Sequence, residues 1–310
     1  MKSKLIIGTR GSKLALFQAN LVKNKLNTVY PFLEIVINII KTKGDKIIDI
    51  AISKIGDKGF FTKEIQDSLH KKEIDLAVHS LKDLPTELPK GTQLGAILER
   101  ANHRDVLVSI DGKKLADFTS DNIIATSSLR RKSQLKKLNK EVQVIDIRGN
   151  VDTRIRKMYD GHCQGMIMAA AGVERLNLQN HITEYFNENQ MLTAPGQGAI
   201  AIEVRQADYK ILDILSILNH KQSSICVKAE RSFLNRLEGG CQIPFAAHAT
   251  IKGDILTIKG MVANLDGSKM QREIIKGNIK EANQLGIDLA DSIKINGGDE
   301  ILEELKRELN

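Results

Sequence analysis

The strongest constraint on the fold is an alternation. Short apolar, β-branched runs trade places with longer helix-like segments along most of the chain. Leu5–Ile7 reads as a strand, followed by a helix from about Lys13 to Leu26. Leu33–Ile40 is a β-branched strand, Thr62–Lys71 is helical, and Ile74–His79 and Gln93–Leu98 are strand-like. A second set begins near Asp105, with strands at Val106–Ser109, Ile123–Thr126, Val142–Asp146 and Gly165–Ala169. Its helices lie near Leu129–Leu138 and Val151–Tyr159. Strands alternating with helices predict parallel sheets of the α/β class, whose ligands gather at strand carboxyl ends and helix N-termini.

After about Leu192 the character changes. The turn-rich stretch Thr193–Ala199 leads into a strand at Ile200–Val204, then into helices near Tyr209–Leu218 and Ser223–Leu237. Beyond these, Phe245–Lys252, Ile255–Val262 and Met270–Ile275 read as β-runs preceding two helices, a small α+β domain. A chain of 310 residues is long for one core, so two or three domains are expected.

The net charge of +8 favours an anionic partner. Aromatics are 4% of residues with no Trp, so base-stacking platforms are scarce, and no helix-turn-helix, RNP or zinc-finger pattern stands out. A small polyanion is therefore preferred over nucleic acid. Of the 46 basic residues 14 are Arg, and six of these fall between positions 130 and 175. In so Lys-rich a chain, Arg stands where its planar fork matters; a solvated basic face is the plainer alternative. No apolar run approaches the roughly 20 residues that cross a bilayer, and the N-terminal apolar stretch is too short for a signal peptide. A cytoplasmic protein is expected. Three scattered cysteines suit that compartment, and no spacing resembles a zinc site, so no metal is expected.

The polar clusters sit where strands stop. Gly8-Thr9-Arg10-Gly11-Ser12-Lys13 fits neither nucleotide-binding glycine motif, but offers an N-cap Ser12, free helix N–H groups and the Arg10 fork, a set suited to a carboxylate or phosphate. A plain capped turn is the alternative. In Ala77-Val78-His79-Ser80-Leu81-Lys82-Asp83-Leu84-Pro85, Lys82 and Asp83 precede a proline-enforced turn, and His79 reads as a satisfied core histidine. Thr126, Ser127 and Ser128 open a helix that presents Arg130 and Arg131 in its first turn. Basic residues oppose the helix dipole there, which calls for a compensating anion. Asp146–Arg154 and Ala170–Leu176 add Arg148, Arg154 and Arg175. Guanidinium groups, hydroxyls and one Asp around a cleft describe a polycarboxylate site. Finally, Leu237-Glu238-Gly239-Gly240-Cys241-Gln242-Ile243-Pro244 reads as a loop holding a thiol; an inert cysteine is the alternative.

GTRGSKLAL, AVHSLKDLP, ATSSLRR, IRGNVDTR, AAGVERL, APGQGAI and LEGGCQIP occur in this order. Together they closely resemble the porphobilinogen deaminase family, from about Leu5 to beyond Pro244. Phe17 stands where the family commonly has Trp. The resemblance implies an α/β fold of two periplasmic-binding-protein-like (type II) lobes plus a small α+β C-terminal domain. The first lobe would be discontinuous (1–99 with 194–218), the second would span 100–193, and 219–310 would carry the cofactor cysteine. It implies that Cys241 bears a dipyrromethane cofactor through a thioether. The family joins four porphobilinogen molecules head to tail, losing ammonia each time, and water releases hydroxymethylbilane. Arg10, Ser12, Lys82, Thr126, Ser127, Ser128, Arg130, Arg131, Arg148, Arg154, Arg175 and Gln197 would bind the carboxylates of substrate or cofactor. Asp83 would be catalytic, facing pyrrole N–H groups as ammonia leaves. The Gly- and Lys-rich segment 42–61 would form a lid, with Lys54, Lys58 and Phe61 meeting the ligand. A monomer without membrane or nucleic-acid partners is implied. The competing readings are a non-catalytic polycarboxylate-binding module and a basic nucleic-acid protein.

Overall fold

The computed structural model describes residues 4–46, 61–237 and 243–309. The described chain divides into two compact units: the described residues up to 101 with 198–224 form one, and 102–197 with the described residues from 225 onward form the other.

In chain order the first unit opens with β1 (Lys4–Thr9), α1 (Lys13–Val29), β2 (Glu34–Ile39), a turn of helix α2 (Lys43–Lys46), α3 (Lys63–His70), β3 (Leu76–Ser80) and β4 (Thr92–Ile97). The second unit supplies β5 (Asp105–Ser109), β6 (Ile123–Ala125), α4 (Leu129–Leu138), β7 (Gln143–Ile145), α5 (Val151–Tyr159), β8 (Gly165–Ala169), α6 (Ala170–Glu174) and β9 (Ile182–Tyr185). The chain then returns to the first unit as β10 (Ile200–Arg205) and α7 (Tyr209–Ser216), and α8 (Lys221–Arg236) follows. Three strands and two helices close the chain: β11 (Phe245–Lys252), β12 (Ile255–Ala263), β13 (Met270–Asn278), α9 (Ala282–Ile293) and α10 (Asp299–Leu309).

Each lobe is built on a five-stranded sheet, ordered β2-β1-β3-β10-β4 in the first and β7-β6-β8-β5-β9 in the second. The sheets are mixed, which corrects the expectation of parallel ones. β1 runs parallel to β2 and β3, but β10 is antiparallel to both β3 and β4. Likewise β6 is parallel to β7 and β8, while β5 is antiparallel to β8 and β9. A crossover helix forces its two strands parallel, but β5 and β10 enter their sheets from elsewhere in the chain and escape that rule. In the first lobe, Leu5, Ile7, Leu76, Val78, Ile202 and Val204 bury one sheet face against Ala19, Val22 and Leu26 of α1 and Ile211 and Leu215 of α7. Ile65 and Leu69 of α3 cover the other face with Ile74 and Ala77. In the second lobe the same alternation sends Val106, Val108 and Met166 to one core and Leu107, Ile124 and Ile167 to another.

The last three strands form an antiparallel meander, β11-β12-β13, packed on α8, α9 and α10 around Phe233, Leu256, Ile258 and Leu289. Leu192, which precedes the return to the first unit, packs with Ala246, Met261 and Ala263 of this sheet. Gly267, between β12 and β13, has φ of +74°, and a Cβ there would lie 2.0 Å from the Ser133 carbonyl oxygen. Only glycine lets this hairpin lie so close to α4. Among the described residues, no helix is long and apolar enough to cross a membrane.

Candidate functional site

In the first lobe, parallel pairing of β1 with β3 brings both carboxyl ends to one sheet edge. Ser12 caps α1 there, accepting a hydrogen bond from Ala15 N at 3.2 Å. No acidic side chain occupies the first turn, so this positive helix end is not neutralised from within α1. The Arg10 guanidinium lies 4.2 Å from the Phe61 ring centroid, a cation–π contact that fixes the fork next to the cap. Phe61 therefore already carries a partner on one face. At the end of β3, a single 3-10 turn spans Leu81–Asp83. Leu81 is buried, its N–H donating to Ala199 O, while Lys82 and Asp83 are exposed. Gln18 of α1 donates to Ser80 Oγ at 2.8 Å, tying helix and strand end together. His79 is a buried core histidine, 3.2 Å from Glu203 of β10, which also accepts from Gln66. Burial would raise the Glu203 carboxyl, but hydrogen bonding to and the charge of His79 lower it below its ordinary range, with help from Thr92 and Gln66.

In the second lobe, the ends of β6, β7 and β8 share an edge by the same parallel logic. Thr126 Oγ1 accepts from Ser128 N, and Ser127 Oγ donates to Ile147 O and accepts from Ile147 N, so these two hydroxyls shape the turn itself. Ser128 takes the N-cap position of α4 without a side-chain capping bond. Gly149, with φ of +116°, makes the turn after Arg148. Arg154 Nε donates to the Gly149 carbonyl at 2.7 Å, so α5 holds the Arg148 loop from behind. Arg148 and Arg175 are half-buried. Burial pushes the Arg175 guanidinium down, partly offset by Glu174.

Arg130 and Arg131 have a protein partner that the sequence reading did not name. The anion that compensates them at the start of α4 is a residue of the chain, Asp105, at the first position of β5. Its carboxylate takes Arg130 Nη1 at 2.6 Å, and Arg131 Nε and Nη2 at 3.0 and 2.7 Å. Arg130 also donates to Leu192 O and Arg131 to Ile167 O. Gln197 joins them, donating to Asp105 at 3.0 Å and to His103 O at 2.7 Å. All four side chains are buried. These guanidinium groups and this amide, expected as ligand donors, are held together by Asp105, and Arg130 also ties down Leu192. Asp105 escaped the sequence reading because its partners lie 25 and 26 residues downstream; a charged residue opening an apolar strand was the available signal.

Cys241, Lys54 and Lys58 lie outside the described residues, as does most of the expected lid. What is described fits a polycarboxylate-bearing group. Each lobe gathers cationic forks, a helix N-terminus and polar turns at one sheet edge, with Asp83 as the single exposed carboxylate on the β3 turn.

Family models match along most of the chain: "Porphobilinogen deaminase, dipyromethane cofactor binding domain" over residues 5–213, and "Porphobilinogen deaminase, C-terminal domain" over 224–294. A porphobilinogen deaminase of Chloroherpeton thalassium is 46% identical over 310 residues, covering 99% of both chains. That of Desulfitobacterium hafniense is 48% identical over 303 residues, covering 98% of both. Among solved structures, a TRAP periplasmic solute binding protein from Desulfovibrio salexigens is similar at a TM-score of 0.43 and 11% identity, over 72% of this chain and 74% of that one.

Proposed function

The chain belongs to the porphobilinogen deaminase family, and from that premise we propose how its own residues serve the family's reaction. The enzyme joins four porphobilinogen molecules head to tail with loss of ammonia and releases the linear tetrapyrrole hydroxymethylbilane. Its cofactor is dipyrromethane, which when bound supplies the nucleophilic pyrrole carbon to which the units are added.

Asp83 is the catalytic residue in this reading. The observation that carries it is the 3-10 turn that sets an exposed carboxylate at the end of a buried strand, beside Lys82 and on the sheet edge that holds Arg10 and Ser12. A carboxylate there accepts hydrogen bonds from pyrrole N–H groups and stabilises the positive charge that develops on the substrate as ammonia leaves. Arg10, Ser12, Lys82, Thr126, Ser128, Arg148, Arg154 and Arg175 hold acetate and propionate groups, each charge-assisted bond contributing roughly 1.5–3 kcal/mol. Thr126 and Ser127 keep the bonds that shape this turn and so position the hydroxyl cluster. Arg130, Arg131 and Gln197 act by position, through Asp105. Cys241 anchors the cofactor by a thioether. The enzyme works as a cytoplasmic monomer, with the first lobe, the second lobe and the cysteine-bearing C-terminal region as its three working parts.

The test is Asp83→Asn. The variant keeps the dipyrromethane mass increment in intact-protein mass spectrometry, while turnover falls on the order of 10²–10⁴-fold. Loss of that increment in Cys241→Ser checks the anchor. A cofactor-loaded Asp83→Asn with full turnover refutes the assignment.

A further inference from the structure

The binding edge of the second lobe holds one more guanidinium, outside every motif that carried the family resemblance. Arg104 precedes β5, whose first residue, Asp105, pairs with Ala169, the last residue of β8. The Arg104 carbonyl accepts from Ala170 N at 2.9 Å, which fixes it to the start of α6. β6 and β7 run parallel to β8, so Arg104 lies on the sheet edge where these three strands end. Tyr185, the last residue of β9, pairs with Val106 of β5 and reaches the same edge. Successive side chains turn to opposite sides of a strand. Asp105 accordingly points inward to Arg130 and Arg131, while Arg104 is exposed.

Two contacts hold this exposed fork still. Its Cζ lies 4.4 Å from the Tyr185 ring centroid, a cation–π stack. Its Nε donates to Asn102 Oδ1 at 3.2 Å. Both supports are tied to one acid, Glu174, whose Oε1 accepts from Asn102 Nδ2 at 2.8 Å and from the Tyr185 hydroxyl at 3.1 Å. The Asn102 amide thus turns its oxygen to the cation and its nitrogen to the carboxylate, the only orientation that satisfies both. Burial and the bond to Glu174 push the Tyr185 phenol up, so it stays the donor. Among the described residues, no protein group takes Nη1 or Nη2 of Arg104, and no carboxylate pairs with it. An unsupported surface arginine loses rotamer freedom when it binds; here the stack and the Nε bond have already ordered it.

The geometry points to Arg104 as a further carboxylate-binding residue of the enzyme, with Tyr185, Asn102 and Glu174 as its positioning residues. Its two uncommitted Nη groups match the two oxygens of one acetate or propionate. The inference rests on the porphobilinogen deaminase reading and extends it. Each added unit brings two carboxylates, so a lengthening chain needs more forks than its first unit does. Arg148 and Arg175 are half-buried and Arg104 is exposed, so Arg104 serves the later units, at the rim of the edge.

The test uses the full-length, cofactor-loaded enzyme. Parent turnover of porphobilinogen is measured first; its absence would remove the family reading, and this inference with it, before any variant is made. Arg104→Gln is checked for folding by circular dichroism, and its Tm stays within about 2 °C of the parent, as for an exposed side chain. Its apparent KM rises about fivefold with kcat nearly unchanged. KM also climbs less steeply with ionic strength, because one screened charge contact is gone. In intact-protein mass spectra after a limiting pulse of substrate, species carrying the later units become scarcer relative to those carrying the first. Tyr185→Leu keeps the charge but removes the stack, and moves KM and the mass distribution the same way by a smaller amount. Parent-like KM, salt dependence and mass distribution in folded Arg104→Gln overturn the assignment, as does a fall in kcat with KM unchanged.

Discussion

Replacing Asp105 by Asn is the perturbation that best tests how the second lobe is held. The carboxylate is fully buried and meets two guanidinium groups and the Gln197 amide. Burial alone would raise its pKa; Arg130 and Arg131 overcome that and hold the carboxyl well below the usual range. Asparagine keeps the shape but leaves two buried cations without their counter-charge. Breaking a buried ion pair in this way costs about 3–5 kcal/mol. At roughly 2–4 °C per kcal/mol for a unit of this size, Tm falls by about 6–20 °C. The folded pKa is depressed, so this stability is complete above the unfolded value of about 3.9 and is lost as pH falls below it. The gap between parent and variant is therefore widest at pH 5–7 and narrows under acid. Calorimetry and urea unfolding across that range measure it. A gap below about 1 kcal/mol at neutral pH, or one that ignores pH, would refute the claim that Asp105 neutralises the start of α4.

Two further outcomes follow from buried groups. Glu203→Gln removes the charge facing His79 and costs about 1–3 kcal/mol at pH 7. Because the folded Glu203 pKa is lowered, the parent loses this term as pH drops below about 4.3, and the variant's urea stability declines less steeply there; parallel profiles would contradict this. Burial, opposed by backbone hydrogen bonds, pushes the Cys163 thiol up to about 11, and Cys226 is buried as well. At pH 8 the native holoenzyme therefore shows both thiols protected, while the denatured chain titrates two with a thiol reagent. A third reactive thiol after denaturation would argue against a thioether at Cys241.

Much of the fold is legible where the pattern is local. Leu129–Leu138, Val151–Tyr159, Gly165–Ala169 and Phe245–Lys252 stand in the structure with the boundaries that periodicity and flanking turns suggest. The Ser12 cap is equally local, since donor and acceptor are three residues apart. The failures are non-local. β9 is four residues, Ile-Thr-Glu-Tyr, at a sheet edge, too short to show a period. The antiparallel sense of β5 and β10 depends on where the chain comes from, which no window of residues contains. His79 was readable as a core residue, but its partner Glu203 was not, because β10 meets β3 across 122 residues at the Ala201–His79 pair. The two arginines of α4 were correctly read as needing an anion; that the chain supplies it became visible only once β5 was placed beside β8.

The sheet order of the first lobe also sets a schedule for synthesis. β3 and β4 are close in sequence but do not pair; β10 lies between them and holds both. A ribosome adding roughly 5–20 residues per second exposes β4 for about 5–20 s before β10 leaves the tunnel. Throughout that interval the emerging lobe has an open slot, and the hairpin that β3 and β4 would form with each other is the competing structure. The second lobe's strands up to β9 are all translated before β10, so the lobe that begins first is completed after its neighbour's sheet is available. Early folding of this enzyme is thus a matter of keeping one strand position vacant until its owner arrives.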